Sequence, residues 1–237
     1  MESGDLKNFQ RYQNNYINGG KFMKNVMIFG DSNTWGWDPS NDLVAVIKRW
    51  PDEVRWAGVL QKELGNDYKV IPEGLNGRTT VWDDPIEEYR CGKQHIIPLL
   101  DSHAPLDLVI IMIGTNDLKC RYTVTAQDIA NGAGLILDKT LAQVGAFGPN
   151  GPKVLFIAPP PLGPIEDGLF KIMFEGNREK SVQMAEFYQG VAESRGVAFF
   201  DAATVAQVSE LDGLHLGADG HAALGKAVAA EVKKILA

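Results

Sequence analysis

The stretch VMIFGDSNTWG, residues 26–36, decides the fold. Four apolar residues, Val26, Met27, Ile28 and Phe29, run without alternation into Gly30 and a polar turn. So short and unbroken an apolar run reads as a strand covered on both faces, the kind a parallel sheet carries at its centre. Four more runs of this type lie downstream, at residues 68–71, 108–113, 154–158 and 197–200.

Helical patterns fill the spaces between them. Val54, Trp56, Leu60 and Leu64 recur at helical spacing. Residues 125–144 open with Thr125 and Asp128, a capping-box-like pair, and set Ile129, Ile136, Leu137, Leu141 and Val144 largely on one face. Val182, Ala185, Tyr188 and Val191 form a third series, and Leu224, Val228, Val232 and Ile235 a fourth. Strand and helix in alternation imply right-handed crossovers and a parallel sheet with helices on both faces. Two stretches resist the scheme. Residues 38–49 are an insertion, and residues 159–176 open on three prolines and then carry Leu169, Phe170, Ile172, Met173 and Phe174. A connection that apolar lines a pocket or an interface.

The 237 residues suit one sizeable α/β domain, expected over residues 23–237. Residues 1–22 are a polar, Asn/Gln-rich extension without an apolar signal-peptide core, so a cytoplasmic location is expected. No segment approaches the ~18 apolar residues of a membrane span. The net charge is -7 with no Lys/Arg cluster, which speaks against nucleic acid. Cys91 and Cys120 are too few for a disulfide framework and form no metal motif.

Open parallel sheets place their sites beyond the carboxyl ends of the strands. Four segments occupy such positions: Gly30-Asp31-Ser32-Asn33, Glu73-Gly74-Leu75-Asn76-Gly77-Arg78, Gly114-Thr115-Asn116-Asp117 and Asp212-Gly213-Leu214-His215. They offer a hydroxyl, an imidazole, a carboxylate, a side-chain amide and a glycine N–H, the inventory of acyl transfer. Taken alone, Ser32 is as readily an N-cap, Gly77 a turn glycine and Asn116 an Asx turn.

In order and spacing these segments resemble the SGNH (GDSL-like) hydrolases: GDS, Gly77, GTND and DGLH match the family's four blocks. The longer strings around them are similar to a subgroup of bacterial arylesterases and acyltransferases. The resemblance runs from about Met23 to the C-terminus. It implies a flavodoxin-like three-layer α/β/α sandwich with a five-stranded parallel sheet. It also implies a serine esterase acting on small short-acyl esters without metal or cofactor, with acyl transfer to alcohols or hydrogen peroxide in some members. Homo-oligomers, including octamers, belong to the same expectation.

The roles then follow. Ser32 is the nucleophile, set before a helix whose N-terminus favours developing charge. His215 is the general base and Asp212, three residues earlier, its orienting carboxylate. The N–H of Ser32 and Gly77 and the amide of Asn116 form the oxyanion hole. Trp35, Trp37, Phe170 and Phe174 are candidates for the pocket wall, with core or interface packing the competing assignment. Phe170 and Phe174 are the residues expected in a subunit contact. His95, His103 and His221 read as surface or packed histidines, and Arg78 as a structural ion pair with Asp31 or Glu73.

Other chemistries fit less well. Residues 31–34 approach the DxDxT of aspartate-nucleophile phosphatases, but Asn33 stands where the second Asp is needed. Residues 220–226 match G-x-x-x-x-G-K by count, but Ala227 follows and the string falls within a helical pattern. No G-x-S-x-G elbow or G-x-G-x-x-G fingerprint follows the first strand. Within esterases the alternative is a carbohydrate acetylesterase, and outside enzymes a flavodoxin-like binding module.

Overall fold

The computed structural model describes residues 23–41 and 46–237. The polar extension and the tip of the 38–49 insertion lie outside them. Five strands form one parallel sheet: β1 (Lys24–Gly30), β2 (Tyr68–Gly74), β3 (Leu108–Met112), β4 (Val154–Ala158) and β5 (Ala198–Asp201), in the order β2-β1-β3-β4-β5. Side chains alternate between the two faces of a strand. Met27, Phe29, Val109, Ile111 and Phe156 therefore enter one core, while Val26, Ile28, Leu108, Ile110 and Leu155 enter the other.

The helices are α1 (Ser32–Trp35), α2 (Trp56–Leu64), α3 (Gly92–His103), α4 (Ala126–Ala142), α5 (Gly168–Phe174), α6 (Arg178–Arg195) and α7 (Ala218–Ile235). Ile96, Leu100, Ile129, Ile136, Met184 and Tyr188 bring α3, α4 and α6 onto the first core. Trp56, Leu60, Leu224, Val228 and Val232 bring α2 and α7 onto the second. Two helical layers around one sheet give the expected three-layer sandwich.

At some edges the elements differ from the sequence expectations. Strands β2 and β5 are only partly buried, because each is an edge strand. Strand β2 also runs on through Pro72 to Gly74, an extension that an edge tolerates because the missing N–H leaves no central ladder incomplete. Helix α4 starts as read, with Thr125 and Asp128 forming a full capping box, but it ends at Ala142. Val144 falls in a following 3₁₀ turn and is exposed, and Val182 faces solvent on α6. Residues 159–176 are not all loop: they fold α5 at their end.

Candidate active site

Strand β1 delivers Asp31 and Ser32 at its carboxyl end. Asp31 caps α1 by accepting from Asn33 N at 3.0 Å, and Gly36 closes that single turn in a left-handed conformation. A four-residue helix has little macrodipole, so the electrostatic help expected from its N-terminus is small.

The loop before α7 brings His215 over Ser32. His215 Nδ1 lies 2.6 Å from Asp212 Oδ2, and His215 Nε2 lies 2.9 Å from Ser32 Oγ. A carboxylate facing Nδ1 keeps the proton on that nitrogen, which leaves Nε2 to accept from the serine hydroxyl. The other Asp212 oxygen accepts from the backbone N–H of Leu214 and His215, each at 2.9 Å, so the carboxylate cannot swing away. Ser32 and His215 are both buried. The indole of Trp37 stacks on the imidazole with centroids 5.3 Å apart, and Phe170 meets it edge-on at 5.5 Å.

Two further loops complete the edge. Asn116 sits in a 3₁₀ turn after β3, behind Gly114 at φ 124. A side chain on Gly114 would collide with the hydroxyl of Tyr188, which donates to Ile113 O at 2.7 Å. The Asn116 amide forms no Asx turn. It reaches across to donate to Arg78 O at 3.1 Å, which leaves its second N–H available. Asp117 accepts from both Thr80 N and Thr80 Oγ1, at 3.0 and 2.5 Å. These bonds stitch the Asn116 turn to the Gly77 loop. Burial pushes the Asp117 carboxyl up to about 7 despite the Thr80 hydrogen bonds.

Ser32, Gly77, Asn116 and His215 all line one pocket of about 230 Å³. Its apolar wall is Trp37, Leu169, Phe170, Met173, Phe174 and Leu214, so the apolar 159–176 connection does line a pocket. Trp35 does not belong to this wall. It packs against Trp37 at 6.3 Å, and its outer face carries the Arg49 guanidinium at 4.6 Å. Phe174 is only 3% exposed in the single chain, so it is not free to form a subunit contact. The exposed apolar residues of α5 are Leu169 and Ile172, at 53% and 72%.

Some residues of the site carried no sequence signal. Glu87 and Lys119 form a polar corner of the pocket. Lys119 Nζ is buried and donates to Glu87 Oε1 at 2.9 Å and to Asp84 Oδ2 at 3.3 Å. Burial pushes the Asp84 carboxyl up, but hydrogen bonds from Glu87 N, Ile86 N and the Tyr122 hydroxyl, with the Lys119 charge, hold it well below the usual range. Arg78 makes no carboxylate pair. It donates to the carbonyls of Gly30 and Glu73 and covers the Phe29 ring, while Glu73 pairs with His103 at 2.7 Å. His221 is buried on α7 and accepts from Trp56 N at 3.2 Å. Among the described residues, no group of three His, Cys, Asp or Glu side chains is disposed to hold a metal ion.

A family model for the GDSL-like lipase/acylhydrolase family matches residues 28–223. Among solved structures, the native aryl esterase of M. smegmatis superposes with a TM-score of 0.85 at 41% identity, over 90% of this chain and 100% of that one. A carbohydrate acetylesterase from Sinorhizobium meliloti gives 0.84 at 42% identity, over 89% and 99%. A carbohydrate acetylesterase family member from the same organism gives 0.82 at 37%, over 90% and 99%. Curated protein sequences return no match. The chain belongs to the GDSL-like lipase/acylhydrolase family and is a carboxylic ester hydrolase.

Proposed function

We propose that the protein cleaves small, short-acyl esters through an acyl-enzyme on Ser32. The observation that carries this reading is His215, which bridges Ser32 Oγ at 2.9 Å and Asp212 at 2.6 Å. His215 Nε2 takes the hydroxyl proton as Oγ attacks the ester carbonyl carbon. Asp212 holds Nδ1–H and stabilises the imidazolium that forms. The tetrahedral oxyanion is received by the N–H groups of Ser32 and Gly77 and the amide of Asn116. Collapse expels the alkoxide, which takes the proton from His215. Water then repeats the sequence on the acyl-enzyme, and an alcohol or hydrogen peroxide can stand in for it.

Substrate size follows from the pocket. A volume of about 230 Å³ lies below the ~300–1,000 Å³ of drug-sized sites, so a short acyl chain suits it and a long one does not. Trp37, Phe170 and Phe174 favour an apolar or aryl ester, the kind of substrate in the name of the M. smegmatis relative. The second reading, a carbohydrate acetylesterase like the S. meliloti relatives, draws on the Glu87–Lys119 corner, which can meet hydroxyl groups.

A p-nitrophenyl ester series from acetate to long acyl chains, with and without chelator, tests the proposal. Rates are expected to be highest for the shortest chains and unchanged by chelator. Loss of activity with chelator, or a preference for long chains, would overturn it. Leu169 at the pocket and Ile172 on the same helix are exposed apolar residues that support a homo-oligomer, which light scattering at micromolar protein checks. No helix among the described residues is long and apolar enough to cross a membrane. The unpaired Cys91 and Cys120 suit a reducing compartment such as the cytoplasm.

A further inference from the structure

The triad joins two segments that are remote in sequence, and its two hydrogen bonds are not equivalent. Asp212 and His215 belong to the same loop, so that contact is internal to it. Ser32 opens α1 just beyond the end of β1, so the bond from its hydroxyl to His215 spans 183 positions. Among the described residues, three hydrogen bonds cross from the Ser32 segment to the His215 loop. One is the Ser32–His215 bond itself, and Asn33 makes the other two.

Asn33 is 2% exposed and follows Ser32 directly. Its Oδ1 accepts from Leu216 N at 2.9 Å, and its Nδ2 donates to Leu214 O at 3.3 Å. The two partners flank His215 on either side. A backbone N–H can only donate and a carbonyl can only accept, so the amide has one satisfactory orientation. Its own end is fixed too, because Asn33 N is bound by Asp31 Oδ1 at 3.0 Å. Other ties of the loop run elsewhere, among them Ser209 N to His215 O, Gly213 N to Ser209 O, Gly163 N to Gly213 O and the Val208–Leu216 bridge.

We propose that Asn33 is a positioning residue for catalysis: its amide clamps the backbone on both sides of His215 and sets the distance at which Nε2 meets Ser32 Oγ. This rests on the reading of Ser32 and His215 as nucleophile and base. An Asn side chain suits the task because it donates and accepts at once. Leu matches its size and can do neither. Asp keeps the bond to Leu216 N but sets a carboxylate oxygen against the Leu214 carbonyl.

The test compares wild type, Asn33→Asp, Asn33→Leu and Ser32→Ala on p-nitrophenyl acetate, with a thermal melt and a proton NMR spectrum of each. Displacing a catalytic group by ~1 Å can cost on the order of 10²-fold, so kcat is expected to fall by that order in Asn33→Asp, with KM within about two-fold of wild type. The far-downfield proton of the His215–Asp212 hydrogen bond is expected to persist, because that pair is internal to the loop. Unchanged kcat in Asn33→Asp would overturn the proposal. So would loss of that proton signal together with activity, since Asn33 would then support the loop's own structure. If Asn33→Leu does not fold, Asn33→Asp decides alone. Retained activity in Ser32→Ala would instead bring down the underlying reading, so the two failures are distinguishable.

Discussion

His215 holds Asp212 at 2.6 Å through one ring nitrogen and Ser32 at 2.9 Å through the other, although Asp212 is three residues away and Ser32 is 183. The short-range contact is built by local turn geometry, in which the Asp212 carboxylate also accepts two backbone N–H groups of its own loop. The long-range contact depends on the whole sandwich, which sets the end of β1 beside the loop leading into α7.

Replacing Asp212 with Asn tests the orienting role. The amide can donate to Nδ1 and so favours the tautomer with its proton on Nε2, where it cannot accept from Ser32. A fall in kcat on the order of 10⁴-fold is expected, with the fold intact. Steady-state rates on p-nitrophenyl acetate check it, and a fall of less than about 10-fold would remove Asp212 from the triad.

The proposed oxyanion donors make a separate prediction. If Asn116 is one of them, Asn116→Ala should lower kcat by about 10²–10³-fold. Gly77→Ala should act differently. Gly77 sits at φ 75, and an added Cβ would come within 2.7 Å of Glu87 Oε2. Alanine there is strained by roughly 1 kcal/mol and shifts the N–H as well, so stability and kcat should fall together. Thermal melts beside kinetics separate the two variants.

His221 gives the pH dependence. Burial lowers its pKa to about 4, against an ordinary value of 6.5. Between those values the unfolded chain binds the proton and the folded one does not. His221 therefore contributes stability fully above pH 6.5 and loses it as pH falls toward 4. The loss is about 3 kcal/mol, from ~1.4 kcal/mol per unit. Asp117, raised to about 7 by burial, titrates in the opposite sense over the same range and offsets this loss, so the His221 share is the difference between two proteins. Urea melts at both ends of this window should show wild type losing about 3 kcal/mol more on acidification than His221→Gln, whose amide oxygen can still accept from Trp56 N. Equal slopes in both proteins would contradict the assignment.

Much of this was legible in the residues. The unbroken apolar runs gave five strands because burial on both faces leaves that trace, and Thr125 with Asp128 marked a helix start because capping is local chemistry. The four polar segments pointed to one sheet edge because parallel topology gathers strand ends. What escaped reading depends on contacts remote in sequence. Trp35 and Trp37 are chemically alike, yet Trp37 stacks on His215 while Trp35 carries the Arg49 guanidinium. Phe174 is buried while nearby Ile172 is exposed, a distinction that needed the turn of α5 to be seen. Asp84, Lys119 and Tyr122 show no motif, since their pairings span 35 and 38 positions. Arg78 looked like an ion-pair partner because sequence shows carboxylates nearby and hides the carbonyls it binds.

Labelling with a fluorophosphonate followed by peptide mass mapping tests Ser32 as the nucleophile. A single adduct is expected on Ser32 and none in Ser32→Ala. Full labelling of Ser32→Ala, or an adduct on another serine in the wild-type protein, would contradict it.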